Sequence, residues 1–154
     1  MTYLVVTYEV YSDGKHVTIT NHQNAHNPTM AELKAFLKRD YTENYVYSDP
    51  SFVCTNYAAV LHNNAEANGI RCAFVSIQGA ASNAGHALDA FQTTDDGLVF
   101  VDDTGNTQGQ DVDKFARIIV GQEVSEVPVF RSDSLVQVSG PSGLGPVDSG
   151  YMWW

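Results

Sequence analysis

Residues 3–11 are rich in β-formers, and after the turn cluster Ser12-Asp13-Gly14-Lys15 a second such run follows, His16-Val17-Thr18-Ile19-Thr20. The pair predicts a hairpin. The period then changes. Asn27-Pro28-Thr29-Met30-Ala31-Glu32 opens a segment in which Met30, Leu33, Phe36 and Leu37 share one helical face, with Thr29 and Glu32 at capping-box spacing. Residues 41–49 are polar and aromatic without a clear period, which reads as a loop. A second helix is expected after it. Asp49 or Ser51 can cap this helix, and Pro50 suits its first turn. Val53, Tyr57, Val60 and Leu61 form its buried stripe, and Asn68-Gly69 stops it.

The rest of the pattern is sheet. Residues 70–77 read as a buried strand and 78–85 as a loop of small residues. Further strands are expected over 87–92, 98–101, 115–120 and 124–130. Thr93-Thr94-Asp95-Asp96-Gly97 turns the chain between the first two of these, and Gly121-Gln122 precedes the last. Residues 139–146, rich in Gly, Ser and Pro, form a loop before an aromatic tail ending in Trp153-Trp154. No internal repeat is found. The elements predict one α+β domain over 1–154: a hairpin and helix over 1–40, a central block over 50–105 with a helix on an antiparallel sheet, and strands over 112–154.

Composition narrows the function classes. Apolar residues make up 44% of the 154 and charged residues 17%, a globular balance that calls for no cofactor, metal or disulfide to fold. Eight Lys and Arg against 18 Asp and Glu give a net charge of −10, a field that repels phosphate backbones and anionic lipid. Nucleic acid is therefore not expected as a partner, and a neutral or cationic substrate fits better. No run of about 18 apolar residues exists, so no membrane insertion is expected. The opening nine residues lack the basic n-region of a signal peptide. The compartment stays open between a cytoplasmic protein and an excised part of an exported one, and the oligomeric state is equally open.

Topology gathers chemistry at one end of the central block. A thiolate nucleophile benefits from the partial positive charge and free N–H groups of a helix N-terminus, and Cys54 sits in the first turn of the second predicted helix. Cys72 belongs near that helix's far end, about 18–20 Å away at 1.5 Å per residue, beyond disulfide reach, and reads as a core residue. The strand after the helix returns to the Cys54 end, where His86 starts the next strand. If the following turn centres on Asp95, Gln92 faces Leu98 and Leu88 faces Asp102, which sets His86 and Asp102 diagonally on one face. A slip of one residue puts Asp103 there instead. Read singly, the two aspartates are equally a turn pair before Thr104-Gly105. His16, His22, His26 and His62 lack a partner pattern; His22 and His26 stand four apart but in a loop, so no metal site is expected.

These residues resemble the transglutaminase-like superfamily. The likeness rests on Phe52-Val53-Cys54-Thr55-Asn56-Tyr57-Ala58 at a helix start, Gly69-Ile70-Arg71 leading into the strand Ala73-Phe74-Val75-Ser76, Gly85-His86-Ala87 opening a strand, and Phe100-Val101-Asp102 ending one. It covers about residues 50–105. The resemblance implies a papain-like core, with Cys54 attacking an acyl carbon, His86 taking the thiol proton and Asp102 holding the imidazole. The Cys54 backbone N–H is then the oxyanion donor, with the Tyr47 side chain as a second candidate. The family usually has Pro after the Asp; this chain has Asp103, an added negative charge beside the triad.

Two function classes follow. One is a thiol-dependent peptidase or amidase, or an acyltransferase, working through a thioester on a peptide or protein substrate. A cell-wall amidase is a variant of the same chemistry. The other is a catalytically idle domain that binds peptide or glycan in a groove lined by Tyr41, Tyr45, Tyr47, Phe52, Trp153 and Trp154.

Overall fold

The computed structural model describes residues 3–81, 85–109, 111–130, 141 and 143–154. Strands β1 (Val5–Ser12) and β2 (Lys15–His22) form the expected hairpin, paired from Val5↔His22 to Ser12↔Lys15. Its two-residue turn holds Asp13 at φ 50° and Gly14 at φ 77°, the geometry whose twist matches the flanking strands. Helix α1 (Met30–Arg39) opens with the predicted capping box: Thr29 Oγ1 accepts from the Glu32 N–H at 3.0 Å, and Glu32 Oε1 accepts from the Thr29 N–H at 3.4 Å.

Helix α2 (Cys54–Ala67) starts later than its pattern suggests, and neither Asp49 nor Ser51 caps it. Ser48 and Phe52 pair their backbones across the intervening residues, which draws Asp49, Pro50 and Ser51 into a tight turn ahead of the helix. Val53 is the N-cap and has no side-chain acceptor, so only the reciprocal half of a capping box forms: Asn56 Oδ1 accepts from the Val53 N–H at 2.9 Å. The buried surface of α2 is wider than a stripe, taking in Cys54, Tyr57, Ala58, Leu61, His62, Ala65 and Glu66, while Val60 is only half-buried. The cause is packing on two sides, with β2 against one and the sheet against the other.

Among the described residues six strands make the sheet: β3 (Ala73–Gly79), β4 (Gly85–Thr93), β5 (Gly97–Asp102), β6 (Lys114–Arg117), β7 (Ser125–Pro128) and β8 (Val147–Trp153). Their order is β7-β6-β5-β4-β3-β8, and neighbours run antiparallel. The fold is thus α+β. β3 begins after Ile70, which is bridged to His26 instead. β6 and β7 are shorter than their apolar runs, and the aromatic tail is an edge strand on β3. The loops expected over 78–85 and 139–146 fall in part on residues 82–84, 139–140 and 142, and the opening of the chain falls on residues 1–2, all outside the described residues.

The sheet buries both faces. On one, Leu33, Phe36 and Leu37 of α1 meet Leu61 and Ala65 of α2 and Cys72, Phe91 and Val101. Beside them, Val10, Val17 and Ile19 of the hairpin meet Cys54, Ala58, Phe74 and Ala87. On the other face, Val75, Ile77, Leu88 and Ala90 pack under Leu144 and Val147. A side chain such as Leu61, with no exposed surface, stabilises by about 2 kcal/mol through burial alone. No helix among the described residues is long and apolar enough to cross a membrane.

Candidate active site

Cys54 is the first residue of α2, His86 the second of β4 and Asp102 the last of β5. The β4–β5 register is the one the turn dictates, with Gln92↔Leu98 and Asp89↔Val101 paired. It brings His86 Nε2 to 2.6 Å from Asp102 Oδ2. The Cys54 sulfur lies beside the same ring, close enough to act on its charge. With Nε2 held by Asp102, Nδ1 is the nitrogen left for sulfur. The second oxygen of Asp102, Oδ1, accepts from the Thr104 N–H at 2.9 Å, so the carboxylate is fixed at both ends. Because Cys54 lies in the first helical turn, its amide has no carbonyl acceptor within the helix.

Charge follows these contacts. Burial alone would push the His86 pKa down, but the Asp102 carboxylate and then the Cys54 sulfur hold it well above the ordinary imidazole value. Burial would likewise raise Asp102; the His86 ring, then the neighbouring Glu126 carboxyl and the Lys114 charge hold it below the usual carboxylate range instead. Glu126, on β7, is the reciprocal case: burial and then the Asp102 charge raise it to about 10, so it keeps its proton beside Asp102. Sequence reasoning missed Glu126, because its role depends on β7 lying two strands from β5 across a connection no local pattern specifies. Its place on the half-buried side of a strand whose neighbours Ser125 and Val127 are exposed was the one available signal.

Cys54 and His86 are 7% and 6% exposed. Apolar residues of the hairpin and sheet wall the sulfur, and the hairpin tip leans across the helix start. Ser12 Oγ donates to Ser76 Oγ at 2.8 Å, Thr55 Oγ1 donates to the Ser12 carbonyl at 3.4 Å, and Lys15 Nζ donates to the Pro50 carbonyl at 2.6 Å. Tyr47 lies half-buried near the thiol. Burial and then the Cys54 charge raise its pKa, so it remains a neutral hydroxyl able to donate. An aromatic run continues from it, Tyr47 stacking on Tyr57, Tyr57 meeting Phe52 edge-on and Phe52 stacking on Tyr45. Trp153 instead packs on Phe74.

Asp103 makes no hydrogen bond to His86. It points away from the ring into a second group of carboxyls, Asp40, Glu43 and Asp113, all buried. Burial and then the Asp113 carboxyl raise Asp103 well above the ordinary value. Burial and then Asp103 raise Glu43 to about 8. Burial, with Glu43 and Asp40 adding to it, raises Asp113 to about 7.

Of the four remaining histidines, His22 ends β2 rather than lying in a loop, and the other three have side-chain partners. His26 Nε2 lies 3.2 Å from Glu32 Oε2 at the surface, and His16 packs edge-on against Tyr11. His62 is wholly buried, its Nε2 2.7 Å from Asn21 Oδ1 and its Nδ1 without a hydrogen bond, beside Cys72 and Asp89. Burial lowers its pKa to about 4. Cys72 is buried and free; burial, then Asp89 and Glu66, raise its thiol well above the ordinary value. Comparison of the chain with protein-family models, with curated proteins and with solved structures finds no match.

Proposed function

We propose that this protein cleaves or transfers acyl groups at amide bonds through Cys54, on a papain-like core of the transglutaminase-like kind. The observation that carries the reading is the relay of contacts from Asp102 through the His86 ring to the Cys54 thiol at a helix N-terminus. The Sγ–H proton passes to His86 Nδ1 as sulfur bonds to the amide carbon, and Asp102 balances the charge that the imidazolium acquires. The oxyanion faces the Cys54 N–H, with the Tyr47 hydroxyl as second donor. The imidazolium then gives its proton to the leaving amine as the C–N bond breaks, leaving a thioester on Cys54. Water resolves the thioester to an acid, or an amine resolves it to a new amide. A net charge of −10 favours a neutral or cationic peptide or protein substrate.

The low exposure of Cys54 favours a second reading, a domain that binds peptide without turning it over, using the exposed side chains of Tyr41 and Tyr45. Timed alkylation with iodoacetamide, read by mass spectrometry, separates the two. Rapid, pH-dependent labelling of Cys54 but not Cys72, abolished in His86→Ala, and acyl-adduct formation from a peptide pool lost in Cys54→Ala, support catalysis. Equal slow labelling at both thiols, unchanged in His86→Ala, overturns it.

A further inference from the structure

We infer that Asp40, Glu43, Asp103 and Asp113 form a binding site for one calcium ion, separate from the thiol–imidazole pair. Asp40 ends α1, Glu43 lies in the short 3-10 turn Thr42–Asn44, Asp103 follows β5 and Asp113 precedes β6. One oxygen each from Asp40, Glu43 and Asp103 lie within 4.8 Å of one another, and the Asp113 carboxyl lies beside those of Glu43 and Asp103. Oxygens bound at 2.3–2.6 Å on opposite sides of Ca2+ stand about 4.6–5.2 Å apart, whereas around Mg2+ the figure is about 4.0–4.2 Å. A separation within 4.8 Å admits either ion, but a cage supplied wholly by protein carboxyls is the kind Ca2+ takes, whereas Mg2+ keeps most of its waters.

Acidic clusters are common on surfaces, where water satisfies them. This one is not on the surface. Asp103 is 3% exposed, and among the described residues no donor reaches either of its carboxylate oxygens, Oε2 of Glu43 or Oδ1 of Asp113. Buried acceptors without donors are rare, since their lost hydration has no replacement. The buried cation nearby, Lys114, is committed elsewhere: Nζ lies 3.3 Å from Asp111 Oδ2 and donates to the Thr104 carbonyl at 2.6 Å. An all-oxygen set without imidazole or thiolate selects a hard cation over zinc or copper. A hollow lined by Asp40, Tyr41, Thr42, Asn44, Tyr45 and Asn64 supplies an entry path at Asp40. The ion would tie the segment leading to Tyr47 to the end of β5.

The test uses the full chain stripped with EDTA, titrated with calcium chloride by calorimetry and followed by thermal melting, with magnesium chloride in parallel. One ion per chain is expected, with magnesium much weaker. At a hundredfold excess over Kd the melting temperature should rise by about 5–10 °C and fall back on adding EDTA. The double variant Glu43→Gln/Asp103→Asn should lose the heat and the shift while melting in EDTA no lower than the wild type. The inference is overturned if the wild type shows neither heat nor shift up to about 10 mM calcium, beyond the range of weak extracellular sites, or if the folded double variant responds as the wild type does. Should the double variant not fold, terbium luminescence sensitised by tyrosine in the wild type decides: calcium must displace the bound terbium, and a signal indifferent to calcium refutes the site. None of these readouts involves Cys54, so the inference fails or holds independently of the amide chemistry.

Discussion

Asp102 and Asp103 are adjacent, nearly equally buried, and in opposite circumstances. Asp102 faces His86, the Thr104 amide and a protonated Glu126; Asp103 faces other carboxyls and no donor. Alternation at the end of β5 sends the two side chains to opposite sides, and the partners met there set their charge. Burial raises both; only Asp102 has contacts strong enough to reverse it. The buried histidines repeat the lesson. His86, hydrogen-bonded to a carboxylate, is held above the ordinary pKa, whereas His62, hydrogen-bonded to the Asn21 amide and lowered by burial alone, falls to about 4.

The sharpest way to break this comparison is to neutralise each aspartate in turn. Asp102→Asn should slow Cys54 alkylation on the order of 10²-fold or more, since the ring loses its anionic partner. Asp103→Asn, in EDTA, should leave the rate within about threefold and raise the melting temperature by a few degrees, by taking one member out of a group of buried carboxyls that disfavour one another's ionisation. A reversed ranking would mean that Asp103 orients the ring.

The histidine pair is tested by stability against pH. A folded pKa of about 4 for His62 lies below the ordinary imidazole value of about 6.5, so the unfolded chain binds more protons between these values. The His62 contribution is therefore full above pH 6.5 and lost as pH falls toward 4, by about 3 kcal/mol in all. Urea unfolding of wild type and His62→Gln between pH 7 and 4 should show a flatter slope in the variant. Asn21 on β2, Cys72 and Asp89 face this ring, and equal slopes would shift the dependence to Asp89. His86 has the opposite sign, its contribution present below pH 6.5 and fading as pH rises through its raised pKa.

The smallest effect concerns Glu126. Glu126→Ala should lower the Cys54 alkylation rate by up to roughly tenfold, since Asp102 loses the neutral carboxyl beside it. Glu126→Gln keeps a neutral polar group beside Asp102 and should restore the rate, a rescue that a purely structural role would not give.

Much of this was legible locally. The Thr29–Glu32 box, the Asp13-Gly14 turn and the Thr93–Gly97 connection each act over a few residues, and the last fixes the register that joins His86 to Asp102. The start of α2 was obscured because the Ser48–Phe52 pairing claims the residues that would have capped it. The partners of His62, the Glu126 carboxyl beside Asp102 and the gathering of Asp40, Glu43 and Asp113 around Asp103 were invisible for a different reason. Each depends on contacts between distant stretches of chain, and a lone acidic residue carries no period that announces such a neighbour.

The placement of β8 has a consequence for assembly. β3 is interior only because residues from far along the chain lie down beside it, Phe74 opposite Trp153 and Val75 opposite Met152. Until that late docking occurs, a wholly apolar stretch of β3 presents a bare row of amides and carbonyls, the template on which foreign strands add. Association of incompletely folded chains should therefore begin at β3, and loss of the Trp153 anchor should favour clumping well before it alters any chemistry at Cys54.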